Sequence, residues 1–333
     1  ASGALNVASM SSVFGRDAYK PLARLSGLVA MALLTGGLSV LVLDLGRPDR
    51  LIVAMTYYNF KSIFAWNIFL YTGLLVVTAV YLWTMMEWRM NRFSKIAGMV
   101  AFLWRLALTT GTGLIFGFLV ARQGYDAALL APLFIAMSFA FGLAVFILVV
   151  IGLYRGDGRP LGDAIIRRMG RLLGVFVAAV CYFVLVYHLT NLYAPERHGI
   201  ERFVLLDGGA VTVFFWIGQL GVGALLPVVL VFGCAAERLT RCRVAAAGVL
   251  VILGGLAQVY VIVIGGQSYP LDLFPGWQAT SSFFDGAASV YHASLPEVVL
   301  GIGGAAFAAV IVLAGAKVLA VMPTSLADGD TKN

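Results

Sequence analysis

Charge is scarce in this 333-residue chain: only 12% of it is Asp, Glu, Lys or Arg. A soluble domain of this size needs far more polar surface, so a water-soluble globule is excluded. Cysteine is scarce, and Cys181, Cys234 and Cys242 form no CxxC and match no zinc or iron–sulfur spacing. Neither group is expected in this chain. Histidine is as rare. Of His188, His198 and His292, only the first lies in a long apolar run. A b-type haem in a membrane needs two axial histidines on facing helices, so no haem is expected either. The Walker A loop, the Gly-rich dinucleotide fingerprint and HExxH are all missing. If the chain serves redox chemistry, the electrons come from another subunit. Residues 1–14 have no initiating Met, no basic stretch and no long apolar core, so they are not an intact signal peptide. They read as the tail of a helix that begins before residue 1.

What the chain does have is apolar length. It is 61% hydrophobic, with a mean hydropathy of +0.94. Apolar runs cover roughly 22–44, 62–86, 97–121, 128–153, 171–193, 208–233, 244–266 and 297–321, each near or above the ~20 residues that cross hydrocarbon as a helix. The ~10-residue alternating segments of a membrane β-barrel are not visible. The expected fold is an all-α polytopic membrane bundle of about nine helices, eight clear and one truncated at the N-terminus. It forms one transmembrane domain over 1–333, with a long aromatic loop at 267–296 and a polar tail at 324–333.

Charge placement orients the bundle. Sixteen of the 23 Lys and Arg fall in the loops near 15–24, 87–96, 154–171 and 234–243 and toward the C-terminus; six fall on the opposite side and Arg105 lies inside a run. The positive-inside rule puts the basic side, with the C-terminus, in the cytoplasm. Asp44–Lys61 then faces out, to the periplasm of a Gram-negative cell. The net charge of +7 is this topology signal and calls for no nucleic acid.

Polar groups gather at the outer ends of the spans: Asp44, Arg47, Tyr58, Trp66, Asn67, His188, Asn191 and Glu297. Each has a plain reading beside the functional one. Asp44 with Arg47 makes a loop-fixing ion pair, or a carboxylate that exchanges protons. Trp66 is an interfacial aromatic, or part of a pocket. His188 is a satisfied structural imidazole, or a ligand or proton group. Asn67 needs a partner in lipid either way. Deeper in, Arg105 requires one too; Glu87 is the acidic candidate on a neighbouring helix. With Thr109 and Thr112 this set is a salt bridge or a proton path from the cytoplasm. An apolar pocket with a few convergent polar groups suits a lipid-soluble ligand with two polar ends. A quinone, menaquinone or ubiquinone, is such a ligand, and its reduction needs a proton supply.

The stretches LVLDLGRPDR (41–50), NFKSIFAWNIFLY (59–71), APLFIAMSFAFG (131–142), YHLTNLY (187–193) and PEVVLGIGG (296–304) stand in this order along the chain. In that order and spacing the chain resembles the NrfD/polysulfide-reductase membrane-subunit family, and within it the ten-helix HybB/DsrP-like branch, with the first helix of that pattern not evident. The resemblance implies a cofactor-free quinone-binding subunit of a respiratory electron-transport complex in a bacterial inner membrane. It implies a periplasmic ferredoxin-like iron–sulfur partner, and catalytic or multihaem cytochrome subunits beyond that. The family's outer-loop Asp and Arg correspond to Asp44 and Arg47, and its pocket positions to Trp66, Asn67 and His188. The DsrP-like type, tied to sulfur metabolism, is favoured. Two other functions stay open: a passive membrane anchor for a periplasmic redox complex, and a secondary transporter with a midplane site, hinted at by Arg105, Gln219 and Pro227.

Overall fold

The computed structural model describes residues 1–271 and 287–328. A short helix, α1 (Asn6–Ser12), follows a 3-10 turn at Ser2–Leu5. Among the described residues, eight helices are long and apolar enough to cross a membrane. They are α2 (Ala18–Asp44), α3 (Ile63–Met86), α4 (Trp88–Gly117), α5 (Leu130–Gly156), α6 (Asp163–Tyr193), α7 (Ala210–Phe232), α8 (Arg241–Ser268) and α9 (Leu295–Val318). A helix pairs its backbone groups within itself, the condition for lying in hydrocarbon. The expected ninth segment is present as α1, whose seven residues are too few to span.

Several helices run past their apolar cores into water. α6 begins at Asp163 rather than near 171, so Arg167, Arg168 and Arg171 sit on its first turns at the basic side. A helix needs no apolar face outside the membrane, which is why hydropathy underestimates its length.

α5 is the hub. It packs on α4, α6 and α8 and on the Ser2–Leu5 turn. Contacts of α6 with α7 and of α7 with α8 close a four-helix bundle, α5–α8. On the other side of α5, α2, α3 and α4 pack in sequence, and the N-terminal segment lies among α2, α4 and α5. A Cβ on Gly3 would stand 1.6 Å from the Ser138 carbonyl oxygen, so only glycine lets this turn touch α5. α9 packs on α2 at the rim and buries only Ala308 and Val312.

α7 is irregular. Phe214–Leu225 is wound as π-helix just before Pro227. Proline has no N–H to give and its ring crowds the preceding turn, which loosens the winding there. At the basic side, Leu326 pairs with the chain at Pro160–Gly162, and Arg159 donates to the Pro323 carbonyl at 3.3 Å. The polar tail is therefore docked as far as it is described. Of the 267–296 loop, residues 272–286 lie outside the described residues, as do 329–333 of the tail. The loop's two ends meet where the Ser289 amide donates to the Ser268 carbonyl at 3.0 Å.

Candidate functional site

The structure divides the outer-end residues into two groups. The first surrounds the ends of α2, α3 and α9 opposite the basic side. Asp44 and Arg47 are both exposed there and form none of the ion pairs among the described residues. The expected loop-fixing pair is absent; with both groups in water, little would be gained by closing it. Trp66 donates its indole N–H to the Phe60 carbonyl at 2.9 Å, and Tyr58 stacks on Phe69 with centroids 4.2 Å apart. These rings staple the loop to α3. Glu297 sits in the capping box of α9 with Ser294 and accepts the Tyr291 phenol at 2.5 Å. That hydrogen bond holds the Tyr291 phenol above its ordinary range.

Asn67 is different: it is 3% exposed. Its amide nitrogen donates to the Ile63 carbonyl at 3.0 Å, and its oxygen accepts from Thr112 at 3.3 Å. From Thr112 a polar ladder descends α4. Thr109 donates to the Arg105 carbonyl at 2.7 Å and shares a 2.8 Å hydrogen bond with Ser2. Arg105 donates to the Ser2 carbonyl at 3.1 Å and to the Asn6 side chain, between the Phe102 and Phe139 rings, each 5.0 Å from the guanidinium carbon. Glu87 does not take part. It is exposed at the basic end of α3, and no ion pair joins it to Arg105. Neutral acceptors of the N-terminal segment and two ring faces serve the buried cation instead. A cavity of about 300 Å³ lies beside the ladder. Its walls are largely apolar, with hydroxyl-bearing residues Ser2, Tyr71, Thr109, Thr112 and Ser138 among them.

The second group lies in the α5–α8 bundle. His188 Nδ1 and Glu201 Oε2 are 2.7 Å apart, and Asn191 donates to Glu201 Oε1 at 2.8 Å. Arg197 donates to Asn191 Oδ1 at 3.0 Å and to the Asp126 carbonyl at 2.8 Å. Tyr187 donates to the Gly124 carbonyl at 2.7 Å, and Phe215 packs edge-on against His188. Glu201, 1% exposed, is the residue that sequence reasoning missed. The charged stretch 194–207 reads as a surface loop, yet the short helix His198–Arg202 folds onto the bundle. The available signal was Ile200 and Val204, an i, i+4 apolar pair beside Glu201, and both are buried. α3 packs on α4, α4 on α5 and α5 on α6, so two helices separate His188 and Asn191 from Asn67. The sequence pools all eight outer residues into one mouth; the fold does not.

Among the described residues, no group of three or more His, Cys, Asp or Glu side chains stands together to hold a metal ion. Comparison with known proteins completes the picture. The family described as Polysulphide reductase, NrfD matches residues 1–270. The chain belongs to this family. It is a multi-pass membrane protein of the NrfD type. It is 28% identical over 323 residues to the Hdr-like menaquinol oxidoreductase integral membrane subunit of Archaeoglobus fulgidus, covering 96% of this chain and 81% of that one. It is 22% identical over 330 residues to a selenate reductase subunit of Mesobacillus selenatarsenatis, covering 88% and 74%.

Proposed function

We propose that this NrfD-family chain is the quinone-exchanging membrane subunit of a respiratory redox complex. It passes electrons between the quinone pool, menaquinone or ubiquinone, and an iron–sulfur subunit on its outer face. The basic side faces the cytoplasm of a bacterial cell, and the DsrP-like, sulfur-linked branch is the favoured placement. The observation that carries the reading is the 300 Å³ cavity beside the Asn67–Thr112–Thr109 ladder. Its apolar walls suit a ring system and its hydroxyls suit the two ring oxygens. When bound, the quinone supplies the two-electron chemistry; the chain supplies shape, hydrogen bonds and protons. Asp44, Arg47, Tyr58, Trp66 and Glu297 frame the outer approach. The hydroxyl ladder down to Arg105 offers protons a path from below, coupling turnover to proton movement.

The relative named as a menaquinol oxidoreductase subunit supports the ligand, and the relative named as a selenate reductase subunit supports membership of a complex. An exposed apolar segment supports a partner on this face as well. The segment between α2 and α3 exposes Leu45, Ile52, Val53, Tyr57 and Phe60 beyond the spans, more apolar surface than water favours.

The test is oxidation of a fluorescent naphthoquinol analogue by the intact purified complex, comparing the parent with Asn67→Leu and Asp44→Asn. We expect turnover in the parent and at least a tenfold loss in Asn67→Leu with the complex still assembled. Equal turnover in all three would move the site elsewhere. Absence of quinol binding by the parent would leave a passive anchor.

A further inference from the structure

Gln219 of α7 and Gln258 of α8 both line two small cavities in the α5–α8 bundle. They are 7% and 3% exposed, and Gln219 Oε1 and Gln258 Nε2 have no hydrogen-bond partner in the protein. An unpaired amide inside a membrane bundle is costly, and the usual remedy is bound water. The room is there. The upper cavity holds about 40 Å³ and the lower about 20 Å³, against the ~10–15 Å³ that one water requires. The upper cavity also touches His188 and Glu201. A carboxylate has about four acceptor sites; His188 and Asn191 engage one on each oxygen, which leaves capacity for water.

We infer that the α5–α8 bundle holds a buried water cluster joining Gln219 and Gln258 to the His188–Glu201 pair, and that this pair is a proton-exchange site separate from the quinone cavity. The cluster passes one proton to the pair and the pair returns it; no electron moves and no other bond changes. His188 keeps 13% side-chain exposure against 2% for Glu201, so the imidazole is the member open to the surroundings. The other titratable or charged groups about the pair are Tyr187 on α6, Tyr125 and Asp126 before α5, and Arg197. α5, α7 and α8 present the cavity with only apolar residues and the two glutamines. Gly223 and Gly254, whose backbones approach closely, line the lower cavity, and the upper cavity reaches Gly124, Ile200 and Glu201. The site rests on the quinone reading only for its coupling to turnover. Water and proton binding stand without it.

The experiment uses the intact complex in lipid nanodiscs and two readouts. The first is thermal stability of Gln219→Leu and Gln258→Leu. If the cavities are hydrated, these variants leave the Tm unchanged or lower it. If the cavities are dry, removing an unpaired buried amide raises the Tm by several degrees, which overturns the water cluster. The second is acid–base infrared difference spectroscopy. We expect a titrating carboxyl band that is lost in Glu201→Gln and displaced in both glutamine variants; a band that ignores Gln219→Leu and Gln258→Leu overturns the link. If Glu201→Gln does not assemble, the two glutamine variants still decide. Naphthoquinol binding by the parent, measured alongside, keeps the two proposals apart: its absence removes the quinone reading while both readouts here stand.

Discussion

Arg105 shows how a membrane interior accommodates a cation without an acid. It is 2% exposed, and its acceptors are the Ser2 carbonyl and the Asn6 amide oxygen. Hydrogen bonds to a buried charge contribute about 2 kcal/mol each. Asn6→Leu should therefore lower stability by about that amount, read by thermal denaturation in detergent. Replacing both partners, Asn6→Leu with Arg105→Met, should cost less than Asn6→Leu alone, because no buried charge is then left short of a partner. Tyr125 provides a pH handle outside the spans. It is fully buried, its phenol donates to the Val263 carbonyl at 2.9 Å, and burial pushes that phenol from 10.0 up to about 12. The folded form keeps the proton that the unfolded form sheds above pH 10. Its contribution to stability is thus whole below pH 10 and falls away as pH rises through about 12. Tyr125→Phe should flatten that alkaline loss in a pH series of Tm values.

At the scale of the element, contact between helices is decided by small residues. A Cβ on Gly254 would lie 1.9 Å from the Gly223 Cα, so α7 and α8 touch backbone to backbone. Gly254→Ala must part them, and overpacking of this kind costs about 2 kcal/mol. Gly301→Ala on α9 is the control: nothing lies within 4 Å of its added methyl. The helix should tolerate it or gain slightly. Parallel Tm measurements on the two variants give the comparison. The helical spans were legible from apolar runs, because lipid forces the backbone to bond within itself. Their ends were less so: α6 extends through Arg167, Arg168 and Arg171, which carry no hydropathy signal. The inward turn of His198–Arg202 left only the short Ile200/Val204 pair as its signal, for a related reason. A charged five-residue helix declares its burial only through the neighbours it meets.

At the scale of the whole molecule, the proposed orientation can be checked with the chain's own thiols. Cys242 is exposed at the start of α8, on the basic side. A membrane-impermeant maleimide should label it in inside-out vesicles and leave it unlabelled in right-side-out ones. A cysteine introduced by Tyr57→Cys, at a position 84% exposed, should show the opposite pattern. Labelling of both from one side would break the topology on which the proposed outer quinone site depends.

Sequence alone determined the class and the eight spans, because each follows from local composition against a lipid solvent. The motif order that resembles the NrfD family was likewise readable along the chain. Tertiary structure decided which polar groups share a site. Asn67 meets Thr112 across α3 and α4, Arg105 meets Asn6 rather than Glu87, and His188 meets Glu201 in a different bundle from Asn67. Depth in the membrane is written in hydropathy, but the azimuth of a side chain around a nearly all-apolar helix is not. That angle is set only when small residues such as Gly3 and Gly254 let one helix settle against another.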